Sequence, residues 1–301
     1  MNKHGQTALK GFAMGMADLV PGVSGGTIAF IAGIYDPLLD SLSALSGEGL
    51  VCARRGKFKQ AWQAINGPFL VALGVGMLTA VVTLAAPLHW LLEHKPVMLR
   101  AFFTGLVAAS VPLVGRHLSP WNARAWIWAA LGCAVAGFVT SLPPLVQSTS
   151  ALWLMGSGML AICAMLLPGI SGSFLLLILG AYEPVLVAIK SLDVTKIAAF
   201  GLGAVMGLLA FSRGLKWLLA THRRPALATL TGFLVGSLQA LWPWKEGVRP
   251  LYTHSDGRVE WLLVNVSPAP MEVWTAVTWM CVGAAVVWGI HRWGEANKQS
   301  S

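Results

Sequence analysis

Charged side chains are scarce in this chain. Asp, Glu, Lys and Arg supply 11% of its 301 residues, where a soluble globular protein carries about 25%. Hydrophobic residues make up 56% and mean hydropathy is +0.68, so too little polar surface is present to dissolve the fold, and a polytopic membrane protein is expected. Cysteine is sparse too. Cys52, Cys133, Cys163 and Cys281 lie far apart with no CxxC spacing, which argues against a disulfide framework or a metal site and leaves packing as their role. The seven His residues form no HxxxH or HExxH pattern, so neither metal nor cofactor is expected. GxSxG, Walker and paired-carboxylate signatures are missing, and an enzyme is not expected. The net charge of +9 could suggest nucleic acid. The basic residues are, however, scattered through short loops between apolar spans, the mark of loops that face anionic lipid. The implied partner is the membrane, with no nucleic acid. The first apolar stretch contains Asp18 and runs to no cleavage site, so a signal peptide is not expected either.

What the chain does have is one stretch written twice. Residues 21–39 read PGVSGGTIAFIAGIYDPLL and residues 168–186 read PGISGSFLLLILGAYEPVL, identical at nine of nineteen positions for an offset of 147. Each copy has Pro-Gly, a turn of small residues, an apolar run, and then Gly, Tyr, an acid and a second Pro. Pro-Gly breaks any preceding helix, and Ser is a good N-cap for the run that follows. The eleven residues from Ser24 to Ile34 would make roughly 16 Å of helix, half a bilayer. A re-entrant hairpin is expected at residues 8–42 and another at 151–189.

Three spans should follow each hairpin: about 68–92, 99–114 and 125–142 in the first half (1–150), and about 197–219, 226–241 and 272–290 in the second (151–301). Residues 43–67 and 243–271 read as polar connectors. At an offset of 127, Ala72-Leu73-Gly74-Val75-Gly76 matches Ala199-Phe200-Gly201-Leu202-Gly203, and Thr104-Gly105 matches Thr231-Gly232. An odd number of spans per half makes the second half start on the opposite side. The fold class is therefore all-α and polytopic, with an inverted-topology repeat. With cytoplasmic termini, fourteen of the 21 Lys and Arg residues fall inside and seven outside, in keeping with the positive-inside rule. Most of the fourteen Trp residues should belong to the interfacial belts.

Broken helices at matched positions point to a binding site near the midplane, since irregular backbone in a bilayer must be buried in protein or line a cavity. A Ser-Gly turn opening a helix offers N–H groups and a positive dipole end, which suits an anion, above all phosphate. The expected substrate-binding residues are Pro21, Gly22, Val23, Ser24, Gly25, Gly26 and Thr27 with Pro168, Gly169, Ile170, Ser171, Gly172 and Ser173. The bland alternative, small residues for tight helix packing, explains neither the Pro-Gly break nor its Ser. Asp36 and Glu183 hold equivalent places between Tyr and Pro. They could couple protons or ions to transport, or merely cap the next segment at the water interface. Asp18, whose counterpart is Met165, is an acid in an apolar arm and a third candidate for coupling. Arg213, inside the fourth span, could counter a lipid phosphate or pair with an acid. Arg100 could be an interfacial snorkelling residue.

The run Asp18-Leu19-Val20-Pro21-Gly22-Val23-Ser24-Gly25-Gly26-Thr27 resembles the signature of the bacterial polyprenyl-phosphate transporter family (PopT). The second PGISGSF motif, Phe211-Ser212-Arg213, and Gly236-Ser237-Leu238 through Leu241-Trp242-Pro243-Trp244 resemble it as well. This resemblance implies translocation of undecaprenyl phosphate across the bacterial plasma membrane, for reuse of the carrier in peptidoglycan and other envelope polymers, with the two turns as phosphate-binding elements. Ser173 and Phe174 replace Gly26 and Thr27 in the second copy, a departure from a symmetric two-turn site. From the residues alone, a transporter or channel for a small soluble anion is the alternative.

Overall fold

The computed structural model describes residues 3–20, 22–145, 148–253 and 259–299. The first half of the chain begins with α1 (Lys3–Asp18), α2 (Gly25–Ile31) and α3 (Tyr35–Ser46), followed by α4 (Glu48–Arg54) and α5 (Phe58–Ala64). Three long helices come next, α6 (Gly67–His94), α7 (Pro96–Gly115) and α8 (Ala123–Ser141). The second half of the chain has α9 (Ala151–Leu166), α10 (Gly172–Ile178), α11 (Tyr182–Lys190), α12 (Val194–Thr221) and α13 (Arg223–Ser237). A hairpin of β1 (Lys245–Thr253) and β2 (Val259–Asn265) leads to α14 (Val273–Gln299).

Among the described residues five helices are long and apolar enough to cross a membrane: α6, α7, α8, α12 and α14. The pair α10–α11 also meets that criterion together, but is bent by 102°. Each expected hairpin has two corners rather than one. The first is the Pro-Gly turn. The second falls at Gly33 and Gly180, which take φ of +67° and +63°, conformations that cost a residue with a Cβ. The apolar run from Ser24 to Ile34 is therefore not one helix: α2 has only seven residues. The hairpins extend over residues 3–46 and 151–190.

Three further expectations are corrected. The connector 43–67 is largely helical, as α4 and α5. Segment 243–271, expected as a polar connector, holds an antiparallel two-stranded hairpin. The fifth span starts earlier than expected, at Arg223, and its α-helix has only fifteen residues before a 3-10 turn at Leu238–Leu241. That is short of the roughly 20 residues a full crossing needs.

Helix partners follow the repeat. α1 packs on α6 and α9 on α12, within the halves, whereas α7 packs on α14 and α8 on α13, between them. Glycine makes these crossings close. A Cβ on Gly76 would stand 1.9 Å from the Ala8 carbonyl oxygen, and one on Gly203 1.8 Å from that of Met155. Gly105 faces the Met280 oxygen at 1.9 Å and Gly232 the Ala129 oxygen at 2.0 Å on the same construction. Those four are two of the three glycine pairs within the segments matched at an offset of 127. Small residues that let backbones touch are how helices associate where lipid removes the hydrophobic drive. The largest buried cluster joins α2, α3, α7 and α13, with Ile28, Leu39, Phe103, Leu106 and Leu234 at most 2% exposed.

Candidate functional site

The two Pro-Gly turns meet in the interior. At the first, Gly22 takes φ +91° and the chain reverses after α1; Pro21 lies outside the described residues. Ser24, extended at φ −121° and ψ 130°, caps α2 by accepting from the Gly26 N–H at 3.1 Å. Its own hydroxyl lies 3.2 Å from the Met165 carbonyl oxygen and 3.1 Å from that of Leu167. Thr27 Oγ1 accepts from the Gly169 N–H at 3.0 Å, and the Tyr35 hydroxyl donates to the Leu166 oxygen at 2.8 Å. Side chains of the first copy thus satisfy the backbone that the second break leaves unpaired, which in a dry interior would otherwise cost several kcal/mol. The approach is tight enough that a Cβ on Gly26 would come within 2.9 Å of the Met165 oxygen.

The second turn repeats the backbone but not the chemistry. Gly169 takes φ +90° and presses on the Phe233–Leu234 backbone of α13. Ser171, at φ −93° and ψ 129°, caps α10 by accepting from the Phe174 N–H at 3.5 Å, and its hydroxyl lies 3.0 Å from that of Ser173. Val23 and Ile170, 1% and 8% exposed, seal the turns on the core side, and Pro168 is buried beside Gly169.

Asp18 separates the two copies most. Its carboxylate ends α1, folds over the first turn and accepts from the Gly25 N–H at 2.7 Å. The start of α2 therefore already holds an anion, contributed by the chain. In the second copy Met165 stands at that place, its thioether side chain against Gly172. Sequence reasoning had Asp18 as a coupling group. Its contact with Gly25, seven residues on, has no helical or strand spacing to betray it.

Asp36 and Arg213 make their contacts away from the two turns. Asp36 opens α3 and pairs with Arg223 at 3.3 Å, while Asp40, one turn on, pairs with Lys216 at 2.7 Å. Ser46 lies 3.4 Å from the Leu209 oxygen, and the Arg213 guanidinium is beside Gly47. Those contacts run antiparallel along α3 and α12 as a seam. Glu183 is half-buried in the first turn of α11. The two hairpins also differ in depth. Six of the seven residues of α2 are buried but only two of seven in α10; for α3 and α11 the numbers are six of twelve and two of nine. Tyr35, Arg223 and Lys216 escaped sequence reasoning. Tyr35 had a signal, since it recurs as Tyr182.

A cavity of about 620 Å³ lies between α7, α8 and α13, lined by apolar residues such as Val111, Ala129 and Val235, with Trp121, Trp126 and Arg116 at one end. Gly76 and Gly203, on α6 and α12, are closed against α1 and α9 instead.

Fold and crossing together define a polytopic helical membrane protein whose two Pro-Gly chain breaks meet in the interior. A family model described as undecaprenyl phosphate translocase-like (VCA0040-like) matches residues 14–259, and the chain belongs to that family. Among curated proteins it is 40% identical over 297 residues to the polyprenyl-phosphate transporter of Vibrio cholerae, covering 96% of each chain. It is 34% identical over 253 residues to the polyprenyl-phosphate transporter of Staphylococcus aureus, covering 78% of this chain and 85% of the relative. No solved structure matches.

Proposed function

We propose that this protein transports polyprenyl phosphate, with undecaprenyl phosphate as substrate, across the bacterial plasma membrane to return the carrier lipid to envelope synthesis. It acts as a transporter rather than an enzyme, its two halves are an inverted repeat, and its termini face the cytoplasm. The headgroup is received where the two Pro-Gly turns cross, and the isoprenoid tail stays in the lipid. Ser171 and Ser173 are the donors of the second turn, and the Gly25 N–H, once Asp18 leaves it, is that of the first. The observation that carries this reading is the Asp18 carboxylate on the Gly25 N–H at 2.7 Å: the crossing holds an anion of the chain's own, at a place where a lipid phosphate could exchange with it. Oxyanions favour such oriented N–H and O–H donors, and the charge-assisted bonds are about twice as strong as neutral ones.

The unequal burial of the hairpins supports access from the α10–α11 side, with the α3–α12 seam closing the other. Rocking that seam open while α11 seals would deliver the headgroup to the opposite face. Arg213, beside Gly47 at the far end of α3 from Asp36, then serves the seam rather than the phosphate.

Binding of purified protein to undecaprenyl phosphate, undecaprenol and inorganic phosphate tests the reading. The lipid phosphate should bind at least tenfold more tightly than either of the others, and Ser171→Ala with Ser173→Ala should remove most of that preference. Equal affinity for inorganic phosphate would turn the reading to a soluble-anion carrier.

A further inference from the structure

A cationic cluster stands apart from the crossing, at the β-hairpin end of the helices. α7 carries Arg100 on its second turn, half-buried. The chain leaving α13 returns to this place: Thr104 Oγ1 sits 2.7 Å from the Leu241 carbonyl oxygen, and Trp244 packs with Ala101 and Ala276. Those contacts bring Lys245, the first residue of β1 and also half-buried, to Arg100. Burial and the positive charge of Arg100 push the Lys245 ammonium from its ordinary 10.5 down to about 8, the response of a cation that faces another cation out of bulk water.

Among the described residues two carboxylates of other segments are already paired. Glu93 pairs with His89 at 3.2 Å and Asp193 with Lys196 at 3.0 Å. Glu246 follows Lys245 on the strand and is exposed to solvent. Trp244 adds a second anomaly. It is 7% exposed, and among the described residues its indole Nε1–H has no acceptor, although a buried indole N–H ordinarily finds one. Two cations with no ion pair among the described residues, next to a donor without an acceptor, are the chemical complement of an oxyanion with several lone pairs. Arg offers a planar fork to such a group and Lys a point charge.

We propose that Arg100, Lys245 and Trp244 form a phosphate-binding site at the β-hairpin end, separate from the crossing of the two turns. Leu241, whose carbonyl oxygen meets Thr104, also has its side chain against Gly22 of the first turn, so a phosphate held here stands at the approach to the crossing. Only the source of the phosphate, a polyprenyl headgroup or the free ion, rests on the transporter reading.

The experiment follows the Lys245 ammonium by NMR of lysine-labelled full-length protein in nanodiscs, titrated with undecaprenyl phosphate, undecaprenol and inorganic phosphate. Undecaprenyl phosphate should raise the Lys245 titration midpoint toward its ordinary value and undecaprenol should leave it in place; Arg100→Gln should raise it without any ligand and weaken phosphate binding at this site about tenfold. A shift with inorganic phosphate of equal size also supports the site, and assigns it to the free ion. Ser171→Ala with Ser173→Ala should abolish binding at the crossing and spare the Lys245 response, which separates failure of one site from failure of the other. A midpoint unmoved by saturating undecaprenyl phosphate and by inorganic phosphate, in protein that unfolds at the wild-type temperature, overturns the proposal.

Discussion

Asp18 and Met165 occupy matched positions, and the difference between them sets the chemistry of the two turns. Asp18→Asn keeps an oxygen for the Gly25 N–H but removes the charge, so a charge-assisted bond becomes a neutral one and stability should fall by about 1 kcal/mol. Affinity for undecaprenyl phosphate should rise several-fold in the same variant, measured in nanodiscs, because the phosphate no longer competes with a carboxylate. Gly22 and Gly169 share φ near +90° but not their surroundings. A Cβ on Gly22 meets the Leu241 side chain at 3.1 Å, whereas on Gly169 it meets the Phe233 backbone at 2.8 Å. Both Ala variants carry backbone strain of about 1–3 kcal/mol, and Gly169→Ala should lower the unfolding temperature further than Gly22→Ala. Lys245 gives a pH signature. Its folded-state value lies below 10.5, so folding disfavours the charged form; the penalty is complete below about pH 8 and lifts as pH rises to 10.5. Stability measured across that window should rise in the wild type and flatten in Lys245→Gln.

At the scale of elements, the α3–α12 seam joins the first hairpin to the second half. Its ion pairs are exposed, and such pairs contribute little to stability, ~0–1 kcal/mol each. Asp36→Asn with Asp40→Asn should therefore unfold near the wild-type temperature. Maleimide labelling of a Leu39→Cys reporter, 2% exposed on α3, should nevertheless become faster; unchanged labelling would show that α3 is held by its apolar face alone. The elements also mark how far the sequence could be read. Pro-Gly-x-Ser-Gly was legible because Pro, a φ-positive Gly and a capping Ser each have one strong local meaning. The second corner carried the same kind of signal at Gly33 and Gly180, but the apolar run around it reads as uninterrupted helix. The β-hairpin was hidden by Pro250, which demotes a strand, and by its place between two spans. α4 and α5 follow no apolar stripe that would distinguish helices from a polar connector. The hydrogen bonds from Ser24, Thr27 and Tyr35 to the second break span more than 130 residues, and only the fold brings those residues together.

Across the whole molecule, backbone contact at glycine does the joining. Gly76→Ala should be severely destabilising, because the Ala8 carbonyl oxygen occupies the Cβ position, while Gly74→Ala, with nothing within 4 Å of its Cβ, should be neutral or slightly stabilising through helix propensity. Yield and unfolding temperature of the two variants in detergent decide it. The exchange of partners between halves, α7 with α14 and α8 with α13, has a consequence for biogenesis. A nascent chain that has inserted α7 and α8 must keep their glycine faces against lipid until the last helices leave the ribosome. The first half cannot finish by itself, and a chain stopped before Val273 leaves α7 without its partner. Such a product would present a raw seam to membrane quality-control proteases, so completion of the final helix serves as the checkpoint for the entire protein.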